Sequence, residues 1–214
     1  MKKDFSEKDL IKKRKRIMKL LQDYQPRRTE IELTTRCQSR YNEWTKIRKI
    51  MLTSPDFAAA CKWNPKMSCA RRVKEILYPF KNNKASMYDL QQESLAKKKL
   101  AQNLAENIQD CGIFIDTQHS CIAATSSATI GSDGLLEVKS VFDAKNMSAD
   151  DAMQSIAILR NIYVDEKMTE INTFHKYYYE IQGQLHITNR KYCLLIINTP
   201  FSMKQIRIDK DDSF

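Results

Sequence analysis

The chain has 214 residues, of which 42% are hydrophobic, and 36 Lys and Arg against 26 Asp and Glu give it a net charge of +10. This length and apolar content predict one large globular domain, or one domain with an appendage, and argue against a disordered chain. The charge favours a polyanionic partner, nucleic acid ahead of an anionic membrane, although a basic N-terminal segment that only aids solubility would give the same excess.

The cysteine pattern bears on the cellular compartment. Six cysteines lie far apart, with no Cys-x-x-Cys pair and no closely spaced histidine pair, so the sequence predicts no zinc site. The first residues do not form a signal peptide, which argues against a disulfide framework. We expect an intracellular protein, in the nucleus or the cytoplasm. No apolar run approaches the length of a membrane span, so we expect no membrane partner.

The N-terminal segment reads as a basic amphipathic helix. Residues 6–9 have the form of a capping box, and apolar residues at helical spacing carry the helix to about Tyr24, before Pro26 stops it. The basic run at residues 12–16 is compatible with a nuclear import signal, a backbone-binding patch or a solvated face. We treat residues 1–28 as a basic helix with a linker and residues 29–214 as the main domain.

The next part of the chain is also helical. Periodicity and breakers predict helices around residues 41–48, 57–61, 68–77 and 86–107. The last of these should be amphipathic, with Glu93 near the margin of its buried face. The residues expected on that face are Met87, Leu90, Leu95, Leu100, Leu104 and Ala105.

From residue 110 onward the pattern changes to the period of two that is typical of strands. It predicts strands at 111–116, 121–125 and 135–140, a loop at 126–134, helices at 148–159 and 173–185, a strand at 191–198 that is buried on both faces, and an edge strand at 206–208. The fold class is therefore α/β (α+β), with a mixed central sheet flanked by helices and a helical N-terminal part.

Two charged residues stand out on the strand at 135–140. Glu137 and Lys139 follow a Ser-Asp-Gly turn and lie two residues apart, so their side chains should point to the same side of an apolar strand. Lys and Glu are rarely buried unless they are paired, which suggests a site. An ordinary hairpin with one solvated face would give the same alternation.

Several stretches together resemble the YqaJ viral recombinase family, which is related to phage lambda exonuclease and belongs to the PD-(D/E)xK nucleases. The resemblance runs from about residue 30 to the C-terminus. It is carried by Thr-Arg-Cys-Gln-Ser at residues 35–39, Gly-Leu-Leu-Glu-Val-Lys at 134–139, and Tyr-Tyr-Glu-Ile-Gln-Gly-Gln-Leu at 178–185. It implies a restriction-endonuclease-like core.

The resemblance also implies a chemistry. Members of the family are magnesium-dependent exonucleases that degrade one strand of duplex DNA, and Mn²⁺ is the alternative ion. Glu93 and Glu137 would hold the metal and Lys139 would steady the nucleophile. Glu180 and Gln182, on the helix that follows, would complete the catalytic set.

Four positions depart from the family pattern. Ser127 stands where the family has a metal-binding Asp, and a neutral hydroxyl is a poorer Mg²⁺ ligand. In the stretch that the resemblance assigns to 5′-phosphate binding, Met51 replaces an arginine and Pro55 a serine. Glu180 replaces a glutamine. These degenerate positions leave it open whether the protein is an enzyme.

Three functions therefore remain. The first is an active exonuclease in which Glu180 supplies the missing carboxylate. The second is a pseudo-nuclease that keeps the fold and still binds nucleic acid, and the third is a non-catalytic assembly module.

The partners that the resemblance implies are duplex DNA, further copies of the chain, since some relatives are toroidal, and a recombination or annealing protein. The cations expected to contact DNA are Arg48, Lys62, Arg71 and Arg72.

Overall fold

The computed structural model describes residues 6–38, 42–77, 83–103, 107–165 and 170–214. The helices are α1 Glu7–Tyr24, α2 Arg28–Thr34, α3 Asn42–Arg48, α4 Phe57–Cys61, α5 Ala70–Leu77, α6 Asn83–Asn103, α7 Ala149–Ser155 and α8 Lys176–Thr188. The strands are β1 Leu52–Thr53, β2 Ile108–Gln109, β3 Phe114–Ile115, β4 Ile122–Ala124, β5 Ala128–Ile130, β6 Gly134–Lys139, β7 Tyr192–Asn198 and β8 Met203–Asp209.

The main sheet has five strands in the order β2-β5-β6-β7-β8. Only β6 and β7 run parallel, with Glu137 opposite Leu195, and the other pairs are antiparallel. A parallel pair needs a crossover, and α7 and α8 provide it. The mixed sheet, the buried β7 and the edge strand β8 are confirmed.

The predicted strands at 111–116 and 121–125 do not join this sheet. They shorten to β3 and β4, which form a separate sheet with β1 in the order β1-β4-β3. The parallel partner of β4 is β1, in the helical part of the chain, and sequence periodicity cannot identify a partner that distant. The predicted loop at 126–134 was partly wrong, because it contains β5, which forms a hairpin with β6.

Helices cover both faces of the main sheet. On one face, α7 and α8 pack on the sheet around Ile181 and Leu195. On the other face, α6 contacts the sheet through Ala96 and Leu100. A third cluster joins the end of α1 to the small sheet.

The predicted buried face of α6 was wrong at three positions. Met87, Leu90 and Leu95 are exposed, whereas Ala96 and Leu100 are buried. The helix contacts the sheet with its C-terminal half, while Leu90, in its N-terminal half, borders a cleft. Residues 104 and 105 lie outside the described ranges.

Helix α1 begins and ends as expected. The hydroxyl of Ser6 accepts a hydrogen bond from Asp9 N, and the helix ends at Tyr24. Leu21 is its buried residue and packs in one cluster with Ile31 and Ile47. The division of the chain at residue 28 stays a prediction. No helix among the described residues is both long and apolar enough to cross a membrane.

Candidate active site

Strand β6 presents Glu137 and Lys139 on one side of the main sheet. Lys139 Nζ donates to Glu137 Oε1 at 2.7 Å, and Glu137 is only 6% exposed. The expectation that the two side chains point to the same side is confirmed. A solvated hairpin face is excluded, because the side chains of Lys139 and Glu137 are only 18% and 7% exposed.

Helix α8 completes the surroundings of this pair. Lys139 Nζ lies 2.9 Å from Glu180 Oε1, and Gln184 Nε2 donates to Glu137 Oε2 at 3.0 Å. The ring of Tyr177 lies beneath the ammonium, with its centroid 5.1 Å from Nζ. Spacings of three and seven residues place these side chains on one face of the helix. Both carboxylate oxygens of Glu137 are therefore engaged.

Gln182 does not join this cluster. Its amide donates to Asp209 O at 2.8 Å and accepts from Asp211 N at 2.9 Å, so it connects α8 to the C-terminal segment. Gln184 contacts Glu137 instead, and the sequence argument had not assigned it a role. The available signal was its spacing, one helical turn after Glu180.

Burial dominates the electrostatics of the cluster. The pKa of Glu137 is raised to about 7, because burial, together with the nearby Glu180, outweighs the lowering effect of Lys139. Burial lowers the pKa of Lys139, but the carboxylates of Glu137 and Glu180 outweigh this effect and leave it well above its usual value. Lys139 is consequently a protonated counter-ion for two buried carboxylates.

Ser127 is part of the backbone scaffold beside Glu137. Its hydroxyl accepts from Val138 N at 3.1 Å and lies near enough to the carboxyl group of Glu93 to lower the pKa of that group. Lys97 Nζ lies 3.5 Å from Glu93 Oε1 and donates to Ser127 O at 3.2 Å. Burial raises the pKa of Glu93. Glu93 therefore lies next to Ser127.

One cleft of about 170 Å³ is lined by Glu93, Ser127, Glu137, Lys139 and Glu180, among others. Four carboxylates, those of Asp89, Glu93, Glu137 and Glu180, and two cations, Arg48 and Lys139, give the lining a formal charge of −2. This local excess of negative charge contrasts with the net charge of +10 of the whole chain.

Asp89 was not singled out from the sequence. Its Oδ1 accepts from Ser140 N at 3.1 Å, and its pKa is raised mainly by burial. It precedes Glu93 by one helical turn, so α6 turns two carboxylates toward β6. This spacing was visible in the sequence, but the face of α6 that borders the cleft was not.

The donors fit a divalent ion only in part. Within the described ranges, no group of three or more His, Cys, Asp or Glu side chains could hold a metal. Burial raises the pKa values of Glu93 and Glu137, and a bound cation would stabilise their charged forms. One or two carboxylates together with substrate phosphate are a usual Mg²⁺ donor set. Glu93 and Glu137 line the same cleft and would be the carboxylates of such a donor set.

Arg48 lies in the cleft. Its guanidinium is 4.4 Å from the centroid of Trp44, its Nη2 donates to Thr53 Oγ1 at 3.3 Å, and burial lowers its pKa. Pro55 also lines the cleft. Met51 is buried in the neighbouring hydrophobic cluster and lies three residues after Arg48.

The other three cations assigned to DNA differ in position. Lys62 and Arg71 are exposed and do not line the cleft. The side chain of Arg72 lies outside the described residues. Lys62 Nζ donates to Phe174 O and lies 4.8 Å from the centroid of Tyr179.

The architecture is that of a restriction-endonuclease-like, exonuclease-type fold. The alkaline exonuclease LHK-Exo from Laribacter hongkongensis matches with a TM-score of 0.61 and 16% identity, over 81% of this chain and 84% of that chain. The same exonuclease in complex with dAMP matches with a TM-score of 0.62, at the same identity and coverage. A SOX–DNA complex matches with a TM-score of 0.51 and 11% identity, over 89% of this chain and 65% of that chain.

The sequence itself identifies the family. The model of the YqaJ-like viral recombinase domain matches residues 43–191, which are 149 of the 214 residues, and the chain belongs to this family. No curated protein matches the sequence.

Proposed function

We propose that this protein is a DNA exonuclease-like protein that binds linear duplex DNA in recombination or DNA processing, and that its phosphodiester hydrolysis is impaired. The observation that supports the proposal is the surroundings of Ser127. Its neutral hydroxyl is bonded to Val138 N, beside the carboxylates of Glu93 and Glu137. The cleft keeps most of the charged groups of a nuclease site and lacks one carboxylate.

In this proposal each cleft residue has a role. Glu93 and Glu137 would hold a weakly bound Mg²⁺ or Mn²⁺, which supplies Lewis-acid polarisation of the phosphodiester and a more acidic water when it is bound. Lys139 would steady the nucleophile with its ammonium group. Glu180, 2.9 Å from Lys139, would supply a carboxylate in place of the one that Ser127 does not provide.

The proposed DNA contacts lie at the cleft and beyond it. Arg48 would meet a phosphate inside the cleft. Its guanidinium lines the cleft, and no carboxylate among the described residues bonds it directly. Lys62, Arg71 and Arg72 would contact the duplex outside. The net charge of +10 supports such contacts. Further copies of the chain and a recombination or annealing protein remain proposed partners.

A second candidate is a pseudo-nuclease that binds duplex DNA without hydrolysing it. It is favoured by the lack of a three-ligand metal cluster within the described ranges. Loss of one metal ligand raises the barrier, and each tenfold loss in rate corresponds to about 1.4 kcal/mol. The two candidates share DNA binding and differ in turnover.

One assay separates them. A 5′-phosphorylated linear duplex is incubated with Mg²⁺ or Mn²⁺ and with wild type, Glu137→Ala or Ser127→Asp. We expect weak, metal-dependent cleavage by wild type, none by Glu137→Ala and at least tenfold more by Ser127→Asp. No cleavage by wild type, together with a gain in Ser127→Asp, would identify the pseudo-nuclease. Wild-type cleavage that persists in Glu137→Ala would refute this site.

Two further measurements test the role of Glu180 and the binding of DNA. Titration of wild type and Glu180→Gln with Mn²⁺ tests the compensating carboxylate, since equal affinities would contradict it. DNA retention at increasing salt tests the binding itself, because phosphate contacts weaken steeply with added salt. Retention that is absent at low salt would favour an assembly module.

A further inference from the structure

The first helix leaves most of its apolar side uncovered. Leu21, in the last turn of α1, is buried in the cluster that joins this helix to the small sheet. Just beyond the helix end, Gln25 Nε2 donates to Asp116 O at 2.9 Å. In contrast, every residue from 6 to 19 is exposed. At 1.5 Å per residue, the exposed part of the helix is about 20 Å long.

The exposed part carries apolar residues on the same side as the buried end. Leu10 and Ile17, like Ile11 and Met18, are seven residues apart, and Leu21 follows Ile17 one turn later. The first four of these residues form the α1 stripe. Their exposed fractions lie between 39% and 53%. Within the described ranges, none of the four belongs to a hydrophobic cluster of the core.

A helix with this sequence gains little stability by itself. Lys8, Lys12 and Arg16 follow one another at spacings of four on the opposite side, and like charges at this spacing destabilise a helix. Helices of about 12–15 residues are marginal in water, and in proteins most of their stability comes from packing of an amphipathic face. The α1 stripe is therefore suited to being covered by another molecule.

Arg14 limits what can cover the α1 stripe. It is exposed and lies in the middle of the stripe, four residues after Leu10 and four before Met18. If a second copy paired its stripe with this one, in either direction, the two Arg14 side chains would meet. Each helix also has seven basic and three acidic residues, so the two copies would repel each other.

A lipid surface fits the α1 stripe no better. Insertion would place the guanidinium of Arg14 among the acyl chains, because this residue lies at the centre of the apolar side and not at its margin. Interfacial helices also commonly carry Trp or Phe on the inserted face. The exposed part of α1 contains no aromatic residue.

We propose that the α1 stripe is the docking surface for an acidic amphipathic helix of a partner protein. Apolar residues of the partner would cover the stripe, and a carboxylate of the partner would pair with Arg14. The net charge of +4 on α1 is complementary to such a helix. The inference goes beyond the proposed function, since this docking needs neither DNA nor the residues of the cleft.

Fluorescence anisotropy of the full chain with labelled designed peptides tests the proposal. One helical peptide of about three heptads has Leu at the two core positions and Glu at the two flanking positions of each heptad, and in a second peptide Lys replaces Glu. Wild type should bind the Glu peptide at least about tenfold more tightly than the Lys peptide. Ile17→Gln combined with Met18→Gln should weaken binding of the Glu peptide at least about tenfold, because two apolar contacts are lost.

Arg14→Gln and Lys12→Gln are matched variants, because each removes one positive charge, the first from the stripe and the second from the opposite side of α1. Arg14→Gln should weaken binding of the Glu peptide about three- to tenfold, and Lys12→Gln less than about twofold. Circular dichroism checks that every variant keeps its fold. Equal affinity for the two peptides, no binding of either, or equal losses in the two single variants would overturn the proposal.

Two other occupants of the α1 stripe would be recognised with the same proteins. Light scattering shows whether wild type is an oligomer that Ile17→Gln combined with Met18→Gln dissociates, which would make the stripe a contact between copies. Flotation with phosphatidylserine vesicles shows whether wild type, but not this double variant, binds a lipid surface. Either result would refute a protein partner at this surface.

Discussion

Glu180 lies 2.9 Å from Lys139, a residue that is also bonded to Glu137 at 2.7 Å. One ammonium group thus bonds two buried carboxylates, one on its own strand and one on a helix, 41 residues after Lys139. This relationship decides how the site responds to charge, pH and substitution.

Removal of the shared cation should strongly destabilise the folded protein. Lys139→Met leaves Glu137 and Glu180 buried without their counter-ion, and breaking a buried pair in this way costs about 3–5 kcal/mol of unfolding free energy. Urea unfolding followed by circular dichroism at pH 8 measures it. Lys191→Met removes the exposed ion pair with Asp133 and is the matched control, with little expected change. Equal losses in the two variants would contradict a stabilising role of the cluster.

The pH dependence of stability should carry the signature of Glu137. Its pKa in the folded state is raised to about 7, above the ordinary value of 4.5, so the folded state holds a proton that the unfolded state has released. The stabilisation that this group contributes is complete below pH 4.5 and is lost as the pH rises through 7.

Glu137→Gln removes this titration. Relative to the variant, wild type should lose on the order of 1–3 kcal/mol of unfolding free energy between pH 4.5 and pH 8. Urea unfolding of both proteins at the two pH values gives the difference. A difference that is constant with pH, or that grows in favour of wild type at pH 8, would show that burial does not raise this pKa.

Restoring a carboxylate at position 127 should make stability depend on metal. Ser127→Asp adds a third carboxylate beside Glu93 and Glu137 in a cleft of formal charge −2, and it removes the hydroxyl that accepts from Val138 N. Without metal, its melting temperature should fall below that of wild type. Added Mn²⁺ should raise it again, because bound ligand stabilises the folded state.

Ser127→Asn is the control for that measurement, because asparagine has the same shape as aspartate. It disturbs the same hydrogen bond without adding charge, so Mn²⁺ should raise its melting temperature no more than that of wild type. If Mn²⁺ stabilises both variants equally, the added carboxylate does not bind the ion.

The packing of α8 against α4 should depend on Gly183. A Cβ at this position would lie 2.1 Å from Cδ2 of Phe57, a distance that no packing tolerates without a shift. Alanine usually stabilises a helix relative to glycine, but Gly183→Ala should destabilise the protein by about 1–3 kcal/mol. It should also displace Gln184 from Glu137.

Thermal unfolding in a double-mutant cycle checks the cause. Phe57→Val removes the ring that the new methyl group would meet, so the double variant should lose less than the sum of the two single changes. Strict additivity would show that the two residues do not compete for space.

Local patterns predicted part of the fold. The capping box at Ser6 gave the start of α1, and the unbroken apolar run gave the buried strand β7. Alternation along β6 placed Glu137 and Lys139 on one side, because strand side chains alternate whatever their partners are. These features depend on neighbours in sequence.

Features that depend on distant contacts were missed. The pairing of β1 with β4 joins residues 70 positions apart, and the exposure of Met87 and Leu90 depends on how far α6 extends over the sheet. The choice of Gln184 over Gln182 as the partner of Glu137 depends on the rotation of α8 about its axis. A sequence of polar residues at spacing two does not determine this rotation.

The sequence by itself determined the fold class, the family and the Glu137–Lys139 pair, because periodicity and motif spacing are properties of short segments. Only the tertiary structure decided that Lys139 is shared with Glu180, that Ser127 is bonded to Val138 N, and that Asp89 and Glu93 face the same cleft. The physical reason is that burial and the approach of charges arise from packing between elements, and packing is settled only when the whole chain has folded.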